Sequence, residues 1–182
     1  IENEIPKALQ QLEKIVKQVL DDQKFPFVLG GEHSITIGAI RPFLKKYDNL
    51  ILLHFDAHAD LRNGYHGEHY SHASAIRRCL DQANLKVVSV GIRNISAEEI
   101  PFVEENRERI RIYWGKDKKK WDIDEIVSHL KDLPIYLTFD VDGFDSSVMP
   151  ATGTPEPGGL FWQDVIEIIT AASQVGTIVG AD

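Results

Sequence analysis

The sequence predicts an α/β protein in three layers, with helices on both faces of a parallel sheet. Three observations carry that prediction. Short apolar runs, rich in β-branched and aromatic residues, alternate with longer stretches of helical periodicity. Most of these runs are apolar at successive positions rather than at every second one, which suits strands buried on both faces. With 182 residues, 43% hydrophobic and 26% charged, the chain can build one substantial core and is neither disordered nor fibrous.

In chain order, residues 6–20 form an amphipathic helix, because Leu9, Leu12, Ile15, Val16, Val19 and Leu20 recur at three- and four-residue steps. Its apolar stripe needs a sheet to cover it. Strands are predicted at 25–29, 50–55, 86–90, 110–114, 135–139 and 177–179, and helices near 34–47, 71–83, 96–108, 122–132 and 161–174. Right-handed crossovers between parallel neighbours then distribute the helices over both faces. No repeat, low-complexity tract or linker divides the sequence, so 1–182 reads as a single domain. The basic run 116–120, between Trp114 and Trp121, reads as a solvated turn. Residues 149–159 hold three prolines and three glycines and form a loop.

Composition narrows the partners. Twenty Lys and Arg against 28 Asp and Glu leave a net charge of −8, which repels polyanions, so nucleic acid is not an expected partner. The single cysteine, Cys79, cannot form an intrachain disulfide, and no apolar run approaches the ~20 residues that span a bilayer. A soluble, cytoplasmic protein is expected. The sequence has no initiator methionine and opens directly into helix-like residues, so it reads as part of a longer polypeptide.

In open parallel sheets ligands bind outside the carboxyl ends of the strands, and three predicted ends carry metal-ligand side chains. Residues 30–34 read GGEHS, residues 54–60 HFDAHAD and residues 138–145 TFDVDGFD. Gly30 and Gly31 permit a tight exit from the strand, and His33 opens the next helix. On extended backbone Asp56, His58 and Asp60 share one face, roughly 6 to 7 Å apart. Asp140 and Asp142 repeat the spacing at a second strand end. Together His33, Asp56, His58, Asp60, Asp140 and Asp142 can surround two cations, one carboxylate from each acidic motif bridging them.

Electrostatics supports that arrangement. Four aspartates gathered at one place repel by about 4 kcal/mol per close pair at an effective dielectric of about 20. Two divalent ions balance the four charges, and carboxylates with imidazoles but no thiolate suit Mn²⁺ better than a structural zinc centre. A lone DxD would read as a turn or cap. Three such motifs, each at a predicted strand end, point to metal. Glu32 and Asp145 are expected outside the inner shell, orienting ligands or capping backbone groups. The reading requires His33 and Asp142 to lie within about 10 Å of Asp56.

Through GGEHS, FDAHAD, TFDVDGFD and the glycine-rich ATGTPEPGGL, residues 27–182 resemble the ureohydrolase family of arginases, agmatinases and their relatives. The resemblance implies an arginase-like fold and two Mn²⁺ ions. One would be held by His33, Asp56, Asp60 and Asp140, the other by Asp56, His58, Asp140 and Asp142. It also implies hydrolysis of a small guanidino substrate to urea and an amine, in a homo-oligomer, trimer or hexamer. Asp60 would take and pass a proton, and His72, in HYSHAS, would be the proton shuttle, with His66 and His69 left as surface residues. The loop LRNGYHGEHYSHAS after the second motif departs from the arginase pattern and looks like agmatinase. A buried Arg62 in that loop would repel an α-ammonium, which favours agmatine over arginine.

Arginase, guanidinobutyrase and formimidoylglutamase are the alternatives, with Arg62 or Arg93 as the anchor for an anionic substrate. A noncatalytic metal-binding relative is a further one. The family continues beyond GAD into a strand whose glutamate grips the guanidinium, and has further strands before the position of Ile1. The 182 residues are therefore expected to be a piece that holds the metal ligands without that anchor. Glu156 is expected to support the loop at the mouth of the site.

Overall fold

Strand β1 (Ile51–Phe55) is buried at every position, and its alternate side chains enter two separate cores. The computed structural model, which describes residues 4–81 and 84–182, places Leu52 with Leu9, Ile37, Phe43, Ile76 and Val87 on one face. Ile51, Leu53 and Phe55 meet Val88, Val90, Ile126, Val165 and Ile168 on the other. With a core on each side, period-two alternation leaves no solvent-facing side, which is why the run is apolar apart from the buried His54.

Four further strands pair parallel around β1. They are β2 (Lys86–Ile92), β3 (Ile110–Trp114), β4 (Pro134–Phe139) and β5 (Thr177–Ala181), and the sheet order is β3-β2-β1-β4-β5. Helices α1 (Glu4–Asp21), α2 (Ile35–Ala39), α3 (Arg41–Lys46), α4 (Ala75–Leu80) and α5 (Ile100–Glu105) contribute to the first core. Helices α6 (Ile123–Ser128) and α7 (Trp162–Val175) cover the other face. The predicted three-layer α/β/α architecture is thus the observed one. No helix among the described residues is long and apolar enough to cross a membrane.

Several local expectations are corrected. Residues 25–29 make one parallel bridge, Phe27 to Ala181, instead of a strand, and Phe25, Phe27 and Leu29 are exposed. Pro26 has no N–H to offer a ladder, so pairing stops at the bonds Val28 N to Ala181 O and Ala181 N to Pro26 O. The helix predicted at 34–47 divides at Ile40, because Pro42, at the start of α3, cannot donate to the preceding turn. The stretch 71–83 begins as a 3₁₀ turn (His72–Ser74) before α4, and residues 82 and 83 lie outside the described residues. Helices at 96–108 and 122–132 shorten to α5 and α6. In α1 the buried line is Leu9, Val16 and Leu20, and Ile15 turns outward at 62% exposure. The basic run is a 3₁₀ helix (Gly115–Lys120), and it is not merely solvated: Lys118 Nζ lies 2.7 Å from Asp164 Oδ2 at the start of α7.

The strand order also fixes where a ligand can sit. From β1 the chain builds outward through β2 and β3, then returns to place β4 on the opposite side. This reversal opens a crevice outside the carboxyl ends of β1 and β4.

Candidate metal centre

Phe55 and Phe139 are register partners, so the residues that follow them, Asp56 and Asp140, leave neighbouring strands side by side at that crevice. Asp140 N donates to Phe55 O at 2.9 Å, extending the ladder one step. Close approach continues at Gly143, where a Cβ would stand 3.0 Å from Asp56 N. His33 enters from the segment before α2. Its Nδ1 lies 3.0 Å from Asp56 Oδ2, 2.8 Å from Asp60 Oδ2 and 3.6 Å from Asp140 Oδ2. On the other side His58 Nδ1 lies 3.1 Å from Asp142 Oδ2 and 3.5 Å from Asp56 Oδ1. All six side chains singled out in the sequence therefore meet, well inside the required separation. The 56–60 segment is not extended as expected. It bends at Ala57, and Asp60 takes a left-handed φ of 51°. That turn is pinned by Arg77 N on Asp60 O and by Leu61 N on the buried Glu99 carboxylate.

The hydrogen bonds behind His33 fix which nitrogen faces the cluster. Thr138 Oγ1 donates to Asp182 Oδ1 at 2.6 Å and stands 3.0 Å from His33 Nε2, so it accepts the Nε2 hydrogen. A neutral His33 ring thus aims the lone pair of Nδ1 at three carboxylate oxygens, a repulsion that a bound cation or a proton relieves.

Without a metal, protons fill that role. Burial opposes a charged His33, but hydrogen bonds to Asp56 and Asp60 outweigh it and raise its pKa well above the usual imidazole value. His58, likewise penalised by burial, is raised to about 10 by Asp142 and Asp56. Burial and the neighbouring Asp56 charge push Asp60 up to about 7, and the same two causes raise Asp140. Burial alone would raise Asp56, yet hydrogen bonds from His33, His54 and His58 hold it well below the carboxylate range. Among the described residues, neither Lys nor Arg forms an ion pair with any of the four aspartates. The donor set of carboxylate oxygens and imidazole nitrogens fits hard or borderline divalent cations.

Two triplets bring ligand atoms within 4.8 Å of one another: His33, His54 and Asp56, and Asp56, His58 and Asp142. His54 is the residue that sequence reasoning missed. It is fully buried, with Nδ1 2.9 Å from Ser89 Oγ and Nε2 2.9 Å from Asp56 Oδ2. Its signal was a polar side chain inside an otherwise apolar strand, set opposite Ser89 in the β1–β2 register.

A cleft of about 290 Å³ opens onto the cluster, with Asp60, Asp140 and Asp142 in its floor and His72, Arg62 and Glu156 in its walls. His72 is half-exposed, and its Nδ1 lies 3.3 Å from Glu32 Oε2. His66 and His69 are exposed and contribute nothing to the cleft lining. Arg62 is not buried, contrary to expectation: it pairs with Glu98 and lies over the Tyr65 ring. Glu156 does more than support its loop, because it faces the cleft with Oε1 3.7 Å from His58 Nε2. Asp145 caps backbone as expected, accepting from the amides of Ser147, Gly158 and Gly159.

A family model described as Arginase family matches residues 1–182. The chain belongs to the arginase family. Within it, the agmatinase of Bacillus cereus is 35% identical over 182 residues, which cover 97% of this chain and 60% of that protein. The N(1)-aminopropylagmatine ureohydrolase of Thermococcus kodakarensis is 36% identical, with 98% of this chain and 57% of the relative covered. Among solved structures, the agmatine ureohydrolase of Thermoplasma volcanium superposes with a TM-score of 0.85 at 36% identity, covering 98% of this chain and 60% of that one. This confirms the arginase-like fold expected from the motifs. This arginase-family chain spans about 60% of the length of the relatives it matches.

Proposed function

We propose that the chain carries the dinuclear manganese centre of a ureohydrolase that converts agmatine to putrescine and urea. The observation that carries this reading is the meeting of His33 Nδ1 with three carboxylate oxygens, beside a second imidazole–carboxylate group at His58. His33, Asp56, Asp60 and Asp140 would hold one Mn²⁺, and Asp56, His58, Asp140 and Asp142 the other, so that Asp56 and Asp140 bridge. Two such cations would lower the pKa of a water toward neutrality and offset the negative charge of the attacking oxygen.

The chain's own residues supply the proton traffic. Asp60, buried in the cleft floor, accepts a proton and passes it to the leaving amine. His72, half-exposed in the cleft wall, exchanges with solvent the other proton that the attacking water loses. Agmatine is a dication, and Glu156 in the cleft wall gives a cationic group a carboxylate to meet. An anionic substrate finds less to hold it, since Arg62 is paired with Glu98 and Arg93 is engaged by backbone carbonyls. The agmatinases at 35% identity support the same choice. The reading includes a single domain over 1–182 and a cytoplasmic homo-oligomer, trimer or hexamer, in polyamine synthesis.

The test is urea release by the full-length protein with Mn²⁺, from agmatine, arginine and guanidinobutyrate at equal concentration. Agmatine is expected to be fastest. Faster release from arginine would overturn the substrate assignment. Two bound ions with no urea from any substrate would leave a noncatalytic metal-binding relative.

A further inference from the structure

Arg93 stands just beyond β2, and every N–H of its guanidinium is spent on backbone. Nε donates to Pro157 O at 3.1 Å, and Nη1 to Gly91 O at 3.1 Å and Gly143 O at 3.3 Å. Nη2 donates to Asp142 O at 2.7 Å, Phe144 O at 3.0 Å and Glu156 O at 2.7 Å. One planar cation therefore joins two segments. The first is the turn 142–144, which carries the Asp142 carboxylate, and the second is the loop 156–157, which carries the Glu156 wall.

The second segment is also held from its amide side, because Asp145 Oδ2 accepts from Gly158 N at 2.7 Å and Gly159 N at 2.9 Å. Thr154, in the same loop, donates to Asp142 Oδ2 at 2.9 Å. Room for the clamp comes from Gly159, whose added Cβ would meet Arg93 Nη2 at 2.6 Å and Asp145 N at 2.5 Å. None of these contacts reaches His33 or Asp60. A lysine has three N–H donors on one atom and cannot reproduce a fork that addresses six carbonyls.

We propose that Arg93 is a positioning residue for one half of the metal centre: it sets the Asp142 carboxylate against His58 and makes no contact with His33 or Asp60. The inference rests on the dinuclear reading above. It carries a specific asymmetry. Losing Arg93 should weaken the cation shared by His58 and Asp142 and spare the one at His33.

The test is stepwise Mn²⁺ binding by calorimetry and metal analysis, on the full-length wild type and on Arg93→Lys, Arg93→Ala and Asp145→Asn, with circular dichroism as the check on folding. In both Arg93 variants one of the two ions is expected to lose at least about tenfold in affinity while the other is unchanged, in line with the ~10–100-fold cost of disturbing the surroundings of a ligand. Asp145→Asn, which frees the same loop from its other side, is expected to do the same and decides the matter if neither Arg93 variant folds. Millimolar ethylguanidinium is expected to restore the second ion to Arg93→Ala.

Two ions bound with wild-type affinity in every folded variant overturns the role, as does equal weakening of both ions. Fewer than two ions in the wild type sinks the dinuclear reading itself, and the role with it.

Discussion

A single hydrogen bond direction decides much about the cluster. Because Thr138 gives its only hydroxyl hydrogen to Asp182, it must accept from His33, and the opposite ring nitrogen is left facing carboxylates. His54 in turn stands between Ser89 and Asp56, so that one oxygen of Asp56 is met by two imidazoles. Neither relay was legible in the sequence, since the hydroxyl partners of His54 and His33 lie 35 and 105 positions away. The ligand types themselves were legible, because few other combinations put acids and histidines after three apolar runs. His72 differs from the ligands in lying half-exposed with Glu32 as its partner. We expect His72→Ala to lower turnover with two Mn²⁺ per subunit retained by metal analysis. Loss of an ion would instead make His72 a ligand.

At the scale of elements, periodicity read the strands well and the helix limits less well. The runs that became β1, β2 and β4 are largely apolar on both faces, and that pattern survives any change in neighbours. Prolines account for two of the corrected boundaries: Pro26 stops a ladder, and Pro42 splits a helix. Both residues were visible, but their effect depends on which N–H the fold needs. Burial gives the elements unequal weights. Leu53 is fully buried in the centre of β1, and Leu53→Ala is expected to cost about 2–5 kcal/mol in urea unfolding. Ile15→Ala, on the outward side of α1, should change stability by less than about 0.5 kcal/mol, although the helical pattern alone counted Ile15 with the buried Leu9 and Val16.

On the scale of the whole molecule, the strand order creates the site. Building β2 and β3 to one side and β4 to the other puts Asp56 and Asp140 on adjacent strand ends, where like charges meet in a buried place. Protons on imidazoles and on Asp60 relieve that repulsion only in part. A divalent cation that binds the folded chain alone must therefore stabilise it, by about 2.7 kcal/mol at a hundredfold excess over Kd. We expect Mn²⁺ to raise the melting temperature of the full-length protein and EDTA to reverse the shift. An unchanged transition in both conditions would remove the metal centre from the account of this fold.

The sequence by itself determined the layers, the parallel sheet and the chemical identity of the six clustered side chains, because hydrophobic period and residue type are local properties. Only the tertiary structure decided that Asp60 turns back through a left-handed residue, that His54 supports Asp56, and that Arg93 is consumed by carbonyls rather than left for a substrate. Each of those outcomes depends on which distant backbone groups lack a hydrogen-bond partner, and that is settled only when the strands are side by side.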